Sequence, residues 1–286
     1  MIYTESVPND QTIVDYLRSV TPWRSAIASV GERFEPDVQI PGLALDPEQI
    51  GSEISDLLIA SGPVAWRSKE DLTVYGLSLS HNPDHPPHLW RSGSFGHERY
   101  RICHPYDYYK AVERDRQNRI KGDYLDSYAF RCLLPEINHY PALAKLLAGF
   151  CVPVVRATIR VINGLVCSPN LQSDSGMHHD ESPFEVLRVN LCVTNDGSFG
   201  YQYREQAPIY PPPGSHWIVN SDRDHRVVVR LPCNFQRIHL VIGLVPWFDY
   251  DASRDAWQPN RWFGIKHPYD MAKEGLLFNP QGTAYP

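Results

Sequence analysis

The run VVRATIRVI, Val154 to Ile162, decides how this chain is read. It is a short stretch of mostly β-branched residues, the side chains that fit a pleated, half-buried surface. Five runs of the same texture follow: Phe184 to Val193 (FEVLRVNLCV), Phe199 to Tyr203, Ser215 to Val219, Arg226 to Leu231 and Gln236 to Val245. Gly, Pro, Asn and Asp separate them, and Asn195-Asp196-Gly197 reads as a hairpin turn. Six short strands at near-even spacing predict a sandwich or jelly roll, a double-stranded β-helix, over residues 153–247.

Outward from this core the texture changes. Asp46-Pro47-Glu48 ahead of Ile50, Ile54, Leu57 and Leu58 predicts a helix start, with proline at the first helical position and an acid in the first turn. Gln11 to Val20 and Pro135 to Phe150 also carry helical spacing, and Thr73 to Leu79 alternates as a strand. The loop from Ser80 to His88 crowds three histidines and three prolines without a carboxylate or thiol at ligand spacing, so it is read as a rigid polar turn. His104 to Phe130, rich in tyrosine, is read as surface packing with a lid as the alternative. The expected fold class is mainly β with flanking helices (α+β). Residues 1–286 form one domain, in which a helix-containing part (1–152) packs on the barrel (153–247) and a tail (248–286) wraps it.

Composition narrows the function classes. The chain has 286 residues, 42% hydrophobic and 21% charged, with a formal net charge of −6. That balance, without a run of Lys or Arg, argues against a nucleic-acid partner. No stretch of 18 apolar residues occurs, so no membrane partner is expected. Six cysteines lie scattered without a CxxC pair, and the first ten residues do not form a signal peptide; a cytoplasmic protein with reduced thiols is expected.

Chemistry concentrates at His178-His179-Asp180-Glu181. In extended chain, residues i and i+2 point the same way, so His178 and Asp180 can face one interior. His179 and Glu181 satisfy the same spacing. His225 comes forty-five residues after Asp180, room for about four strands before a third ligand returns. Two imidazoles and a carboxylate without thiolate suit Fe(II) with open coordination positions better than a closed, cysteine-rich zinc site. Single histidines on strands are usually core residues, and His216 and His239 are read so.

The segment from Pro213 through His225 to Val227, followed by Arg237-Ile238-His239-Leu240 and preceded by His178-x-Asp180, resembles the HxD…H…R signature of Fe(II)/2-oxoglutarate-dependent dioxygenases. More narrowly it is similar to the aspartyl/asparaginyl β-hydroxylase-like branch, with a cupin core. The resemblance covers residues 154–247. It implies that His178, Asp180 and His225 hold Fe(II), choosing that pair over His179 and Glu181. It implies that Arg237 pairs with the far carboxylate of 2-oxoglutarate, a task suited to the bidentate guanidinium. Arg188 would hold the cosubstrate's other end or the substrate, and Asn190 stands where the branch carries a histidine that contacts the cosubstrate. With O2 as oxidant, the implied reaction is hydroxylation of an unactivated C–H in a small, amino-acid-like molecule, releasing succinate and CO2. Related halogenases lack the carboxylate, so Asp180 favours hydroxylation. A peptidyl Asp/Asn-type hydroxylase, or a cupin metalloenzyme that does not use 2-oxoglutarate, are the alternatives; a homodimer is compatible with either. Arg91, Ser94, His97, Arg101 and Arg131 are read as surface residues that could instead reach the pocket.

Overall fold

In the computed structural model, Gln236–Leu244 is the strand about which the main sheet is assembled. The structure describes residues 45–65, 74–91, 130–150, 154–164, 177, 178, 180, 186–204, 206–219, 223–244, 248–251 and 256–259. Twelve strands run through them in chain order. These are β1 (Val64–Ala65), β2 (Val74–Ser78), β3 (Ser80–His81), β4 (Cys132–Leu133), β5 (Val154–Asn163) and β6 (Leu187–Thr194). There follow β7 (Phe199–Tyr203), β8 (His216–Val219), β9 (His225–Val229), β10 (Gln236–Leu244), β11 (Phe248–Asp251) and β12 (Ala256–Pro259).

The main sheet has the order β1-β2-β5-β10-β6-β8. A second layer is built on β7 and β9, extended by isolated bridges from His178 to His225 and from Tyr201 to Ile209. From β5 onward, successive passes of the chain therefore visit main, second, main, second, second, main, second and main layers. Eight passes wound between two layers in this way make a double-stranded β-helix, the jelly roll expected from the spacing of the runs.

Alternation of side chains divides each strand of the main sheet between two faces. Outward, Ile159, Val161, Val189, Leu191, Leu240 and Ile242 form one core with helix α1 (Pro47–Ser61) and helix α2 (Pro141–Ala148). Each Leu or Ile taken fully out of water there contributes about 1.5–3 kcal/mol. Inward, Cys192, Trp217 and Val219 cluster with Tyr201 and Tyr203 of the second layer, and Ile162 clusters with Phe199 and Val229. The interior between the layers is thus closed by large side chains and lined by whatever polar residues share their face.

The α1 start is as read: Asp46 Oδ1 accepts from the Gln49 N–H at 3.1 Å, and Pro47 needs no donor. Glu53 of α1 accepts from the N–H groups of Ala142 and Leu143, at 3.0 and 2.8 Å, and so caps α2. Two expectations are corrected. Pro135 to Phe150 is not one helix; a 3-10 turn over Pro135–His139 precedes α2, because Pro141 forces Tyr140 out of helical conformation (φ −122°, ψ 83°). Asn195-Asp196-Gly197 is not a hairpin, since β6 and β7 lie in different layers. Asn195 instead donates through Nδ2 to the carbonyls of Phe199 and Pro211 and accepts from Gly197 and Phe199, which turns the chain from one layer to the other; Gly197 supplies the positive φ of 87°. Arg91 lies at the surface as read, tied to Glu136 (Nη2–Oε1 2.6 Å).

Cys132, Cys192 and Cys233 are free thiols. Among the described residues no helix is long and apolar enough to cross a membrane. Beyond residue 247 the described chain is the β11–β12 hairpin. The expected helix at Gln11 to Val20, the tyrosine-rich segment from His104 to Phe130 except Phe130 itself, the candidates Ser94, His97 and Arg101, and residues 260–286 of the tail lie outside the described residues.

Candidate metal centre

His178 and His225 are locked together through their backbones. The His178 N–H donates to the His225 carbonyl at 3.1 Å, and the His225 N–H to the His178 carbonyl at 2.8 Å. An antiparallel pair with both bonds made puts the two side chains on the same face, and the ring centroids stand 4.5 Å apart. His225 Nδ1 lies 2.8 Å from the Arg223 carbonyl. A proton on Nδ1 satisfies that bond and leaves Nε2 with a lone pair for a metal, the arrangement seen in orienting partners of metal-binding histidines. Tyr201 stacks on the His225 ring, centroids 5.2 Å apart, and Tyr203 meets it edge-on.

Asp180 completes the set. Its Oδ2 lies 3.7 Å from His225 Nε2 and 4.0 Å from His178 Nε2, and the three ligand atoms all fall within 4.8 Å of one another. Metal–ligand bonds of about 2.0–2.2 Å require donors roughly 3 Å apart, so these side chains need to close by on the order of 1 Å. The set fits a single ion. Burial alone would raise the Asp180 carboxyl, but the Arg188 guanidinium and then the His225 imidazole hold it well below the usual carboxylate range. Arg188 Nη1 donates to Asp180 Oδ2 at 2.5 Å. The carboxylate therefore stays ionised and aimed, as a metal ligand must be.

Arg188 belongs to a stripe. With Asn190 and Cys192 it shares one face of β6, and Cys192 is part of the interior cluster. Asn190, buried, is opposite Trp217 of β8 and Val241 of β10. On β10 the interior positions are Arg237, His239 and Val241; Arg237 is opposite Ile162, and His239 stands between Arg160 of β5 and Cys192. Arg237 is 1% exposed, and its Nε and Nη1 have no hydrogen-bond partner among the described residues. Burial pulls its guanidinium down from the ordinary value while the adjacent Cys192 thiol pushes the other way. A buried cation with orphan donors costs several kcal/mol unless an anionic ligand answers it.

All six residues singled out in the sequence thus meet at one interior: His178, Asp180 and His225 at its rim, Arg188 and Asn190 on the wall, Arg237 deeper. Arg188 grips the Asp180 carboxylate, a contact that the sequence reading did not include. His179 and Glu181, the shifted pair, lie outside the described residues. Sequence reading passed over Tyr201 and Trp217, although the alternation of Phe199, Tyr201 and Tyr203 carries a signal for a large inward aromatic on every second residue.

No family model and no curated protein matches the chain. Among solved structures it is similar to the non-haem α-ketoglutarate-dependent epimerase SnoN from nogalamycin biosynthesis, 11% identical, covering 92% of this chain and 96% of that one, TM-score 0.39. It is similar also to a C-terminally truncated Neurospora crassa protein in its apo form, 12% identical, covering 82% and 93%, TM-score 0.36. A third likeness is to a Trichoplax adhaerens prolyl hydroxylase in complex with a hypoxia inducible factor peptide, 6% identical, covering 85% and 96%, TM-score 0.34. Scores this low carry neither fold nor reaction across. The β-helix stands on its strand order and the metal centre on its own distances.

Proposed function

We propose that this chain is an Fe(II)- and 2-oxoglutarate-dependent oxygenase of the aspartyl/asparaginyl β-hydroxylase-like branch, hydroxylating a C–H bond of a small, amino-acid-like molecule. The observation that carries the reading is Arg237, a buried guanidinium with two orphan donors, inside the same barrel that holds the His178–Asp180–His225 set at its rim. A lone metal set would serve many reactions; a metal set with a dedicated carboxylate clamp behind it suits an oxodicarboxylate cosubstrate.

The donor set, two neutral imidazoles and one carboxylate, is suited to Fe(II) and leaves one face open. Held by His178, Asp180 and His225, with 2-oxoglutarate beside it, iron would supply the oxidising chemistry: one atom of O2 would leave in succinate as CO2 is released, and the other would enter the substrate C–H bond. The chain's own residues do the rest. Arg237 binds the far carboxylate and sets how deeply the cosubstrate sits. Arg188 keeps Asp180 ionised and aimed, and Asn190 offers an amide to the middle of the cavity. Tyr201 and Tyr203 cover His225, whose side chain is 7% exposed, while that of His178 is 48% exposed. The open side is therefore the His178 side, and the substrate approaches there.

The test is succinate release with Fe(II), ascorbate and 2-oxoglutarate, screened across free amino acids and short peptides. Amino-acid-stimulated succinate formation supports the reading. Peptide-only stimulation moves it to a peptidyl hydroxylase, and product formed without 2-oxoglutarate overturns it.

A further inference from the structure

On the interior face of the main sheet, Nε and Nη1 of Arg237 and the indole Nε1 of Trp217 are buried donors with no hydrogen-bond partner among the described residues. Trp217 is 1% exposed and packs against Cys192, Tyr201, Tyr203 and Val219, groups from both layers of the barrel. Its neighbour across the ladder is Asn190, which shares the stripe running from Arg188 to Cys192. Counting along β6, the Trp217 row lies one step inward from the Arg188 row, which grips Asp180, and before the Cys192 row, which touches Arg237.

A tryptophan is an expensive way to fill that space. Leaving a buried N–H unanswered is destabilising, and a phenylalanine there would carry no such donor. Buried tryptophans ordinarily find an acceptor for Nε1. The nearby thiol does not supply one, since Cys192 Sγ donates to the Pro211 carbonyl at 3.5 Å and adjoins Arg237.

We propose that the Trp217 indole N–H is a binding donor for the ligand that occupies the barrel between the metal set and Arg237, an acceptor-rich 2-oxo dicarboxylate. The assignment rests on the function proposed above and adds a recognition residue to it. Arg237 takes one end of the ligand, and Trp217 takes an oxygen nearer the metal. Arg237 Nε and Nη1 and Trp217 Nε1 are all donors, as a dianion rich in oxygen acceptors requires.

Anaerobic Fe(II)-loaded protein is titrated with 2-oxoglutarate and followed by calorimetry and by tryptophan emission. Wild type should show a saturable emission change; Trp217→Phe should lose most of it and bind 2-oxoglutarate about tenfold more weakly, the scale of one hydrogen bond to a charged group, with Fe(II) affinity unchanged. Should that variant fail to fold, the indole 15N–1H spectrum of Zn(II)-loaded wild type decides: one of the seven tryptophan resonances should shift downfield on adding 2-oxoglutarate. A Trp217→Phe protein that matches wild type in both affinity and emission change overturns the inference alone, as does a wild-type spectrum in which 2-oxoglutarate binds and no indole resonance moves. Wild type that binds no 2-oxoglutarate overturns the inference and the cosubstrate reading together.

Discussion

Arg188 Nη1 and Asp180 Oδ2 are 2.5 Å apart, an ion pair between a buried residue of the main sheet and a carboxylate whose side chain is 32% exposed. Arg188 stands on strand β6 of the main sheet, and Asp180 itself is in no strand. The pair therefore anchors a metal ligand to the framework, the kind of support on which ligand geometry depends. Arg188→Gln is expected to weaken Fe(II) or Mn(II) binding by about 10- to 100-fold, and Arg188→Lys to recover part of it. Calorimetry or Mn(II) spin-resonance titration reads the difference. Unchanged metal affinity with a raised KM for 2-oxoglutarate would return Arg188 to the cosubstrate.

His225→Ala removes the ligand whose tautomer is held by the Arg223 carbonyl. It should abolish stoichiometric metal binding and succinate release. The far-ultraviolet circular dichroism should stay that of wild type, because the β-core does not depend on the imidazole. Retained iron at one equivalent would remove His225 from the ligand set.

Arg237→Gln should raise the KM for 2-oxoglutarate by roughly 10- to 100-fold, the range for losing a hydrogen-bonded charge. Metal affinity should not change. Arg237→Lys should fall between, since a single ammonium keeps the charge but not the two separately directed donors. Steady-state kinetics against cosubstrate concentration separates this from a general loss of kcat.

His239 is held neutral: burial, then Arg237 and Arg160, pushes its pKa well below the ordinary value. The unfolded chain takes up this proton near pH 6.5 and the native chain only at much lower pH. The stability that neutral His239 permits is therefore complete above about pH 6.5, and it declines as the pH falls through and below that value. Melting temperatures of wild type and His239→Gln measured from pH 8 to pH 5 should converge or cross as acid is added. Parallel curves would contradict the assignment. His81 and His85, also lowered by burial, contribute a shared background to both.

Glu53 accepts from two N–H groups at the start of α2. Glu53→Ala leaves both unsatisfied by the chain and should cost about 0.5–2 kcal/mol, as loss of a helix cap does. Urea unfolding should show a lower midpoint at constant slope. A midpoint equal to that of wild type would mean that water caps the helix equally well.

Much of this molecule was readable from local pattern. Asp46-Pro47-Glu48 starts a helix because proline lacks the N–H that position does not need, and the strand runs from Val154 onward declare themselves through β-branched texture. His178 and Asp180 share a side by the period of two. These are properties of neighbours in sequence, and no distant partner is needed to see them. The helix over Pro135 to Phe150 was misread for an equally local reason: Pro141 lies inside the periodic pattern and overrides it at Tyr140.

Long-range pairing accounts for the rest. Whether Asn195 closes a hairpin or hands the chain to the other layer depends on what β6 and β7 find to bond with, and β6 pairs with β10 and β8 while β7 pairs with β9. The grip of Arg188 on Asp180, the orphan donors of Arg237 and Trp217, and the cationic surroundings of His239 exist only once eight passes of chain have wound into two layers. Hydrogen bonds and charges act over a few ångströms in space, and strand alternation names the face a side chain occupies without naming what waits on it.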